Sequence, residues 1–309
     1  MSGLALQGPR SEIGKNAPLY PELLSKIPRP PEMLYVIGDA AALESGLAVI
    51  GARKSTPYGR SCAHHFARMA AEKGIPIISG GARGCDAEAH RAALEAGGTT
   101  IVFLGGGCDC VYPAENRGLF QRIIDAGGAI VSEHPWDCQP RPYMFRERNR
   151  LIAGLALSVL IVEAGLPSGT FSTADEALEA GREVWVVPGA ITSATSLGSN
   201  RLILQGALPI IDDEAFEDAL LRSFGALKWS HDQEGEAANQ AGAEADGPDG
   251  DIIEAIRAQP LTMDELYTIA RACYGDEDFR PKLSVLLIEA EACGLIARQP
   301  DGRWTGRLS

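Results

Sequence analysis

The chain has 309 residues, of which 45% are hydrophobic and 22% charged, and its formal net charge is −13. This length suits one large domain and a small one. The negative balance argues against general coating of nucleic acid or anionic membranes, so any binding of a polyanion must be local. No apolar stretch reaches the length of a membrane span and the N-terminus has no signal-peptide pattern, so we expect a cytoplasmic protein without membrane contact.

The N-terminal part of the chain predicts a large α/β domain preceded by an arm. Residues 1–34 are rich in proline and are predicted to form an extended arm, and residues 35–225 are predicted to form the domain. Short apolar runs occur at 47–50, 75–78, 100–104, 129–131, 158–162 and 183–187. Amphipathic stretches typical of helices alternate with them at 60–73, 87–96, 116–125 and 173–180. This alternation predicts an extended Rossmann-like, doubly wound and mostly parallel sheet covered by helices on both faces.

The C-terminal part changes character after residue 225. Residues 226–250 are acidic and without periodicity, which predicts a disordered linker. Beyond it, residues 251–309 predict three helices and a hairpin, the order of a small winged-helix domain. Thr262 and Glu265 have the spacing of a capping box. Acidic residues outnumber basic ones in this domain, so we favour a protein contact over recognition of duplex DNA.

Several glycine-rich turns follow the predicted strands and open toward helices. In parallel sheets ligands bind beyond the carboxyl ends of the strands, where glycines let backbone N–H groups converge on an anion. Arg53, Lys54 and Arg83 bring positive charge to these turns. The predicted phosphate-binding residues are Gly51, Ser79, Gly80, Gly81, Gly105, Gly106, Ser168, Gly169 and Thr170.

Residues 141–150 concentrate four arginines and two aromatic residues in an otherwise acidic chain. Arginine offers a planar set of donors for phosphate, and Tyr143 and Phe145 offer ring faces on which bases stack. The pattern indicates single-stranded nucleic acid. A solvated helix start with internal ion pairs through Glu147 is the alternative.

Motifs for nucleotide and metal chemistry are missing from the sequence. There is neither a phosphate-binding P-loop nor the glycine spacing of a dinucleotide site. The seven cysteines include no Cys-x-x-Cys pair, so we expect no metal and no cofactor. Asp86 and His90 fit an acid–base pair, but a capping aspartate with a packed histidine is the commoner arrangement. Glu163, at a strand end, fits either a base or a group that aligns an arginine, and we favour the second.

A series of motifs in this chain resembles the DprA/Smf family of DNA-processing proteins. The similarity runs in order and spacing from about residue 20 to residue 211. Its motifs are Gly-Ala-Arg-Lys at 51–54, Ser-Gly-Gly-Ala-Arg-Gly-Cys-Asp at 79–86, Val-Tyr-Pro-Ala-Glu-Asn at 111–116, Arg-Asn-Arg-Leu-Ile-Ala-Gly at 148–154, Ser-Gly-Thr at 168–170, Gly-Arg-Glu-Val at 181–184, Val-Pro-Gly at 187–189 and Gly-Ser-Asn-Arg-Leu-Ile-Leu-Gln-Gly at 198–206.

The resemblance implies a function without catalytic turnover. Members bind single-stranded DNA, dimerise and help to load the RecA recombinase during natural transformation, which makes these the expected partners. The resemblance also implies which residues face DNA, and the full predicted set is Arg53, Lys54, Arg83, Arg141, Phe145, Arg148, Asn149 and Arg150. Gly81 and Cys85 depart from the family pattern in ways that affect packing more than charge. We also expect this chain to start too late to hold the helical N-terminal domain of many members.

Two rival functions remain open at this point. A phosphoribohydrolase-type enzyme acting on nucleotides has a similar fold, and Glu163 near residues 168–170 distantly resembles its site, although the glycine-rich motif of such enzymes is not intact. A transcription factor driven by the winged helix is disfavoured by the acidity of that domain.

Overall fold

The computed structural model describes residues 5–166, 169–225, 248–258, 261–275, 279–292, 296–298 and 304–306. The chain divides into two compact units, Met1–Trp229 and Ser230–Ser309. Most of the predicted acidic linker lies outside the described residues. Its last three positions, 248–250, begin a helix.

Nine strands form the sheet of the first unit. In chain order they are β1 (Arg10–Gly14), β2 (Met33–Gly38), β3 (Gly46–Ile50), β4 (Ile77–Ser79), β5 (Thr100–Phe103), β6 (Ala129–Ser132), β7 (Ala156–Ile161), β8 (Glu183–Val186) and β9 (Leu208–Pro209). Their order across the sheet is β1-β2-β6-β5-β4-β3-β7-β8-β9. The seven strands from β6 to β9 in that order are mutually parallel, and β2 and β1 complete one edge as antiparallel strands. The predicted doubly wound, mostly parallel sheet is confirmed.

The winding reverses between β3 and β7, and this is where the sheet opens for a ligand. After β3 the chain builds the sheet in one direction through β4, β5 and β6, then returns to pair β7 with the other side of β3. The pairs Leu47↔Ser158 through Ile50↔Ile161 set the register of the two central strands. Loops that leave the carboxyl ends of strands on either side of such a reversal diverge, which leaves a crevice between them.

The described residues of the first unit form eight α-helices beside this sheet. They are α1 (Glu22–Ser25), α2 (Pro57–Glu72), α3 (Cys85–Glu95), α4 (Arg117–Asp125), α5 (Met144–Leu155), α6 (Thr170–Glu179), α7 (Leu197–Leu204) and α8 (Asp213–Phe224). Local sequence explains the starts of two of them. Thr56 caps α2 by accepting a hydrogen bond from the Gly59 N–H, with Pro57 at the first helical position, and Asp212 caps α8 through Ala215.

Alternate residues of the central strands pack against two helical layers. Ala48 and Ile50 of β3 face a core shared with helices α1, α5, α6 and α7, whereas Leu47 and Val49 face a core shared with α2, α3 and α8. A third cluster, around Phe120, joins α4 to the β5–β6 part of the sheet. Every residue of β3 is buried, as expected for a strand covered on both faces.

The N-terminal segment differs from its prediction. Residues 10–14 pair with β2 as the edge strand β1, so part of the predicted extended arm belongs to the sheet and the sheet begins before residue 35. Only one of the five residues of β1 is buried. Its sequence therefore lacks the alternation of apolar and polar residues that would predict a strand.

The second unit contains three helices and a hairpin among its described residues. The helices are α9 (Pro248–Ala258), α10 (Met263–Tyr274) and α11 (Phe279–Ala292), and the strands are β10 (Ile296–Arg298) and β11 (Trp304–Gly306). The predicted capping box between Thr262 and Glu265 is present at the start of α10. Buried side chains from all three helices pack with Ile296 and Trp304 in a separate small core.

Candidate nucleic-acid interface

A cleft of about 710 Å³ opens at the carboxyl edge of the first unit's sheet, where the winding reverses. One wall comes from the turn after β3, which includes Arg53, and another from the loop after β7, which includes Leu166. The start of α5 forms the third side. The residues that line the cleft include eight of the predicted site residues: Gly51, Arg53, Lys54, Phe145, Arg148, Asn149, Gly169 and Thr170. Tyr112, Arg146 and Asp86 also line it.

Positive charge in the cleft is available to a ligand. Arg53, Lys54 and Arg146 are exposed, and the described part of the chain places no carboxylate within ion-pair distance of any of them. The Arg53 guanidinium lies 5.5 Å from the centre of the Phe145 ring. This cation–π contact holds the Arg53 side chain at the cleft and leaves its positive charge available to a ligand.

Two aromatic rings stand beside these cations. The ring of Tyr112, 49% exposed, lies 5.2 Å from that of Phe145 at an angle of 53°. Phe145 is also backed by Gly105, where an added Cβ would lie 2.8 Å from the ring. A ring that is fixed from behind and open on another side is a preorganised surface for stacking.

The side of the cleft formed by the loop after β7 and the start of α6 carries no charged side chain among the described lining residues. Gly165, Leu166, Ala194 and Thr195 line it, together with Thr170 at the start of α6. Two hydrogen bonds fasten this wall to the start of α7. The Ser199 hydroxyl accepts from the Ala164 N–H at 2.9 Å, and the Gly198 N–H donates to the Ala164 carbonyl at 2.8 Å. The cleft is therefore bordered by a rigid side and a cationic side.

Arg148 forms the floor of the cleft and is buried, with only 4% of the residue exposed. Its Nη1 donates to the carbonyls of Gly80 at 2.8 Å and Phe103 at 2.5 Å, which ties the end of β4 to the end of β5. Burial lowers the pKa of the guanidinium to about 10, partly offset by the charge of the buried Asp86. The protein's own carbonyls thus accept hydrogen bonds from Arg148 Nη1, which gives this arginine a structural role, and its contact with DNA stays a prediction.

Gly80 is required by this arrangement. A Cβ at residue 80 would lie 2.2 Å from Arg148 Nη1, so any side chain there would displace the guanidinium. The Asp86 carboxylate accepts hydrogen bonds from the N–H groups of Gly80 and Ala82, which closes the turn over the arginine. The missing side chain of Gly80 therefore makes room for the Arg148 guanidinium.

The other predicted arginines divide between partners and solvent. Arg150 is held by Glu133 through two hydrogen bonds, of 3.0 and 2.5 Å, and is mostly buried. Arg83 is exposed but paired with Glu115 outside the cleft. Arg141 is exposed and does not line the cleft, whereas Asn149 does. Arg150 and Arg83 are therefore ion-paired in the described structure, and their contacts with DNA stay predictions.

The predicted phosphate-binding turns also separate in role. Ser79 is buried and donates to the Val49 carbonyl, and Gly81 lies against Phe120. Gly105 backs Phe145, and Gly106 packs on the backbone of residues 138–140. These four positions are packed inside the protein, while Gly51, Gly169 and Thr170 border the cleft. Phosphate binding at the turns stays a prediction. Ser168 lies outside the described residues.

His90 is a packed histidine, as the commoner interpretation had it. It is fully buried, and its Nδ1 lies 2.7 Å from the Thr100 hydroxyl. The Asp86 carboxylate bonds the turn that precedes it rather than the imidazole. Burial, reinforced by the charges of Arg148 and Arg91, lowers the pKa of His90 from 6.5 to about 3.

This burial predicts a specific acid sensitivity. The unfolded chain binds a proton at His90 below pH 6.5, whereas the folded chain does not until about pH 3. As the pH falls from 6.5 to about 3, the unfolded chain gains a proton at His90 that the folded chain does not bind. The free energy of unfolding should therefore fall by about 1.4 kcal/mol for each unit by which the pH is lowered. Urea unfolding across this pH range should show a shallower loss in His90→Gln. An unchanged slope in that variant would contradict the assignment.

Glu163 anchors the start of α2. Its residue is 3% exposed, and its Oε2 accepts a hydrogen bond from the Thr56 N–H at 2.9 Å, next to Gly59. No arginine is aligned by it in the described structure, so that expectation is corrected. A carboxylate at a helix N-terminus is stabilised by the helix dipole, which accounts for its burial.

Two residues that line the cleft were not among the predicted site residues. Tyr112 lies within the motif at 111–116, and its ring is identifiable only once Phe145 is beside it. Arg146 belongs to the 141–150 cluster without being among the predicted DNA contacts, but it lines the cleft. Its position on α5, two residues before Arg148, turns it toward solvent while Arg148 points inward.

The chain matches known proteins over most of its first unit. The model of the family described as DNA recombination-mediator protein A matches residues 12–220. Protein Smf of Escherichia coli is 41% identical over 221 residues, which is 71% of this chain and 58% of that protein. Protein Smf of Synechocystis is 32% identical over 323 residues, covering 94% of this chain and 78% of that protein. The chain thus spans less than two thirds of the Escherichia coli relative.

Solved structures agree with this relationship. DNA processing protein A from Streptococcus pneumoniae matches with a TM-score of 0.62 and 33% identity, over 68% of this chain and 74% of that one. The Helicobacter pylori protein, whose structure was reported for its single-stranded DNA binding mode, matches with a TM-score of 0.62 and 32% identity, over 70% and 97%. With the family model covering residues 12–220, this chain belongs to the DNA recombination-mediator protein A family.

Proposed function

We propose that this chain binds single-stranded DNA in the cleft at the sheet's carboxyl edge. The observation that carries the proposal is that fixed rings lie beside cations that have no carboxylate partner among the described residues. Arg53, Lys54 and Arg146 supply charge for the phosphates, and Phe145 and Tyr112 supply stacking surfaces. Stacking together with backbone charge is the usual basis of single-strand binding without sequence preference.

The overall charge of the chain makes this binding local and selective. With a net charge of −13, most of the surface repels DNA, so the strand must be held where exposed cations are concentrated. A flexible single strand can bend its phosphates into a cleft and turn its bases toward the rings. A blunt duplex has its bases stacked inside and presents only phosphates.

Full-length protein should therefore bind an unstructured oligonucleotide more tightly than the matching blunt duplex. Fluorescence anisotropy across a salt titration measures both affinities, and the affinity for the single strand should fall steeply with salt because counterions are released. Equal affinities for the two forms would contradict the stacking part of the proposal. Affinity that does not change with salt would contradict the phosphate part.

The proposed function is non-enzymatic. The rival, a phosphoribohydrolase, requires a carboxylate that reaches its substrate. Glu163 does not line the cleft, and its carboxylate accepts a hydrogen bond from the Thr56 backbone. Asp86 does line the cleft, but it is buried and occupied by the turn and Arg148. Release of free base from nucleoside monophosphates would contradict the non-enzymatic function and support the phosphoribohydrolase.

We place this activity in the cytoplasm, in natural transformation, with RecA as the recipient of the bound strand. The family description as a recombination mediator supports this role. None of the described helices combines the length and apolar character needed to cross a bilayer. We propose 35–225 as the DNA-binding domain, extended by β1 and β2, with 226–250 as a linker.

A homodimer is also proposed, because apolar side chains are exposed near one end of the sheet. Leu204 at the end of α7 is 83% exposed, and Ile211, just after the edge strand β9, is 71% exposed. Burying such residues against a second copy would stabilise the pair. For residues 251–309 we propose a winged helix that contacts a protein, since its acidity is unfavourable for duplex DNA.

A further inference from the structure

Two turns that carry cysteines lie side by side next to the cleft. The Gly107 N–H donates to the Cys138 carbonyl at 2.8 Å, and the Asp109 N–H donates to the Trp136 carbonyl at 2.9 Å. Each cysteine ends a tight turn of its own, since the Cys110 N–H bonds the Gly107 carbonyl and the Cys138 N–H bonds the Pro135 carbonyl. The two turns are thus fixed to each other by backbone hydrogen bonds.

The sulfur of Cys110 lies between the two neighbours of Cys138. It accepts a hydrogen bond from Gln139 Nε2 at 3.0 Å, and its thiol donates to the Asp137 carbonyl at 3.3 Å. Because Asp137 and Gln139 flank Cys138 in the chain, these contacts bring the Cys110 sulfur over the Cys138 backbone. A disulfide requires the two Cα atoms to be about 4.4–6.8 Å apart. The two contacts of the Cys110 sulfur place it beside the short stretch of backbone that carries Cys138, which is the proximity that such a bond needs.

Both thiols can be reached and neither is fixed in a core. Cys110 and Cys138 are partly exposed, and the only hydrogen bond of the Cys138 thiol in the described structure is a long one, 3.9 Å, to its neighbour Gln139. Cys108 contrasts with them, because it is buried and its thiol bonds the carbonyls of Tyr35 and Ile130. Proximity and access therefore select one pair among the cysteines of this region.

We propose that Cys110 and Cys138 are a redox modification site, which closes to an intramolecular disulfide when a peroxide reaches it. One thiolate attacks the peroxide O–O bond, which breaks to give a sulfenic acid and release water. The second thiolate then displaces the sulfenic hydroxyl, which leaves as water when protonated, and the S–S bond forms. Two thiols and one hydrogen peroxide thus become one disulfide and two waters, and a dithiol reductant reverses the change.

The rate of closure should depend on pH. The pKa of the Cys110 thiol is raised, chiefly by burial and further by the negative charges of Asp109, Asp137 and Cys138. The nucleophile is the thiolate, whose fraction at neutral pH is small when the pKa is high. Closure should therefore be slow at neutral pH and faster at mildly alkaline pH.

The position of the pair connects it to the cleft. Cys110 is two residues before Tyr112, whose ring lies against Phe145. Cys138 lies on the loop between β6 and α5, the helix that carries Phe145. A bond between them would join the two chain segments that lead to these rings.

The test uses full-length protein treated with hydrogen peroxide at neutral and mildly alkaline pH. Remaining thiols are then alkylated, and the peptides are mapped by mass spectrometry, with fragment spectra to separate Cys108 from Cys110. We expect a Cys110–Cys138 cross-linked peptide at monomer mobility on a non-reducing gel. It should form faster at the higher pH and disappear on reduction.

Matched variants make the result decisive. Cys110→Ser and Cys138→Ser should each abolish the cross-link, whereas Cys62→Ser, at another partly exposed cysteine, should retain it. A cross-link to any other cysteine, a cross-link only between chains, or oxidation to sulfinic acid without a disulfide would overturn the proposal. None of these outcomes depends on whether the cleft binds DNA.

Discussion

Replacing Arg148 by alanine is expected to lower the free energy of unfolding by about 3–5 kcal/mol, the usual effect of removing one partner from a buried charge pair. Three groups lose their compensation together. The carbonyls of Gly80 and Phe103 lose their donor, and the buried carboxylate of Asp86 loses the nearby positive charge. The ends of β4 and β5, which the guanidinium joins, would no longer be held at the floor of the cleft.

Urea unfolding followed by tryptophan fluorescence measures this effect. Arg141→Ala is the matched control, because Arg141 belongs to the same cationic segment but is exposed, and it should unfold like the parent. Arg148→Lys should fall between them, since one ammonium group cannot reproduce the planar guanidinium. If Arg148→Ala were as stable as the parent and lost DNA affinity, Arg148 would be a DNA contact and its structural role would be refuted.

Replacing Phe145 by alanine should weaken binding of single-stranded DNA by about 5- to 150-fold, which corresponds to about 1–3 kcal/mol for one stacked base. The ring is in contact with Tyr112 and Gly105, and the Arg53 guanidinium lies 5.5 Å from its centre. Its loss removes a stacking surface and also releases Arg53 from its position. Affinity is measured by oligonucleotide anisotropy at fixed salt, since affinities at different salt concentrations are not comparable.

Tyr143→Ala is the control for this prediction. Tyr143 is exposed and only two residues away, but it does not line the cleft. The two variants therefore remove similar rings from the same segment at different positions. Equal losses of affinity in the two variants would place the strand outside the cleft, along the exposed start of α5.

The buried strands could be predicted from sequence because parallel strands covered on both faces are continuous apolar runs. The six predicted runs correspond to strands β3 through β8, but β2 was not among them although four of its six residues are buried. Strands β1 and β9 could not be predicted in this way. β1 is mostly exposed, and β9 has two residues and ends in proline, so neither carries enough hydrophobic pattern to mark a strand. Their pairing depends on neighbours distant in sequence.

For the site, sequence identified the segments better than the roles of their side chains. A cluster of arginines shows where positive charge is concentrated, but not which guanidinium points into the protein. Arg148 turns inward because Gly80 and Asp86, far earlier in the chain, make a place for it. Arg150 meets Glu133 for the same kind of reason. These partners come together only when the chain folds and the strand ends converge. A local sequence pattern therefore cannot predict these contacts.

Arg53 and Lys54 are proposed to hold the DNA backbone in the cleft, and a salt titration tests this proposal most directly. For single strands the slope of log affinity against log salt becomes shallower by about 0.7 for each phosphate that the protein no longer neutralises. The double variant Arg53→Ala/Lys54→Ala should therefore have a slope shallower than that of the parent by about 1.4. Arg68→Ala/Arg91→Ala removes the same charge from surface positions that pair with Glu72 and Glu88, and it should keep the slope of the parent. Equal slopes in the two double variants would contradict the proposal.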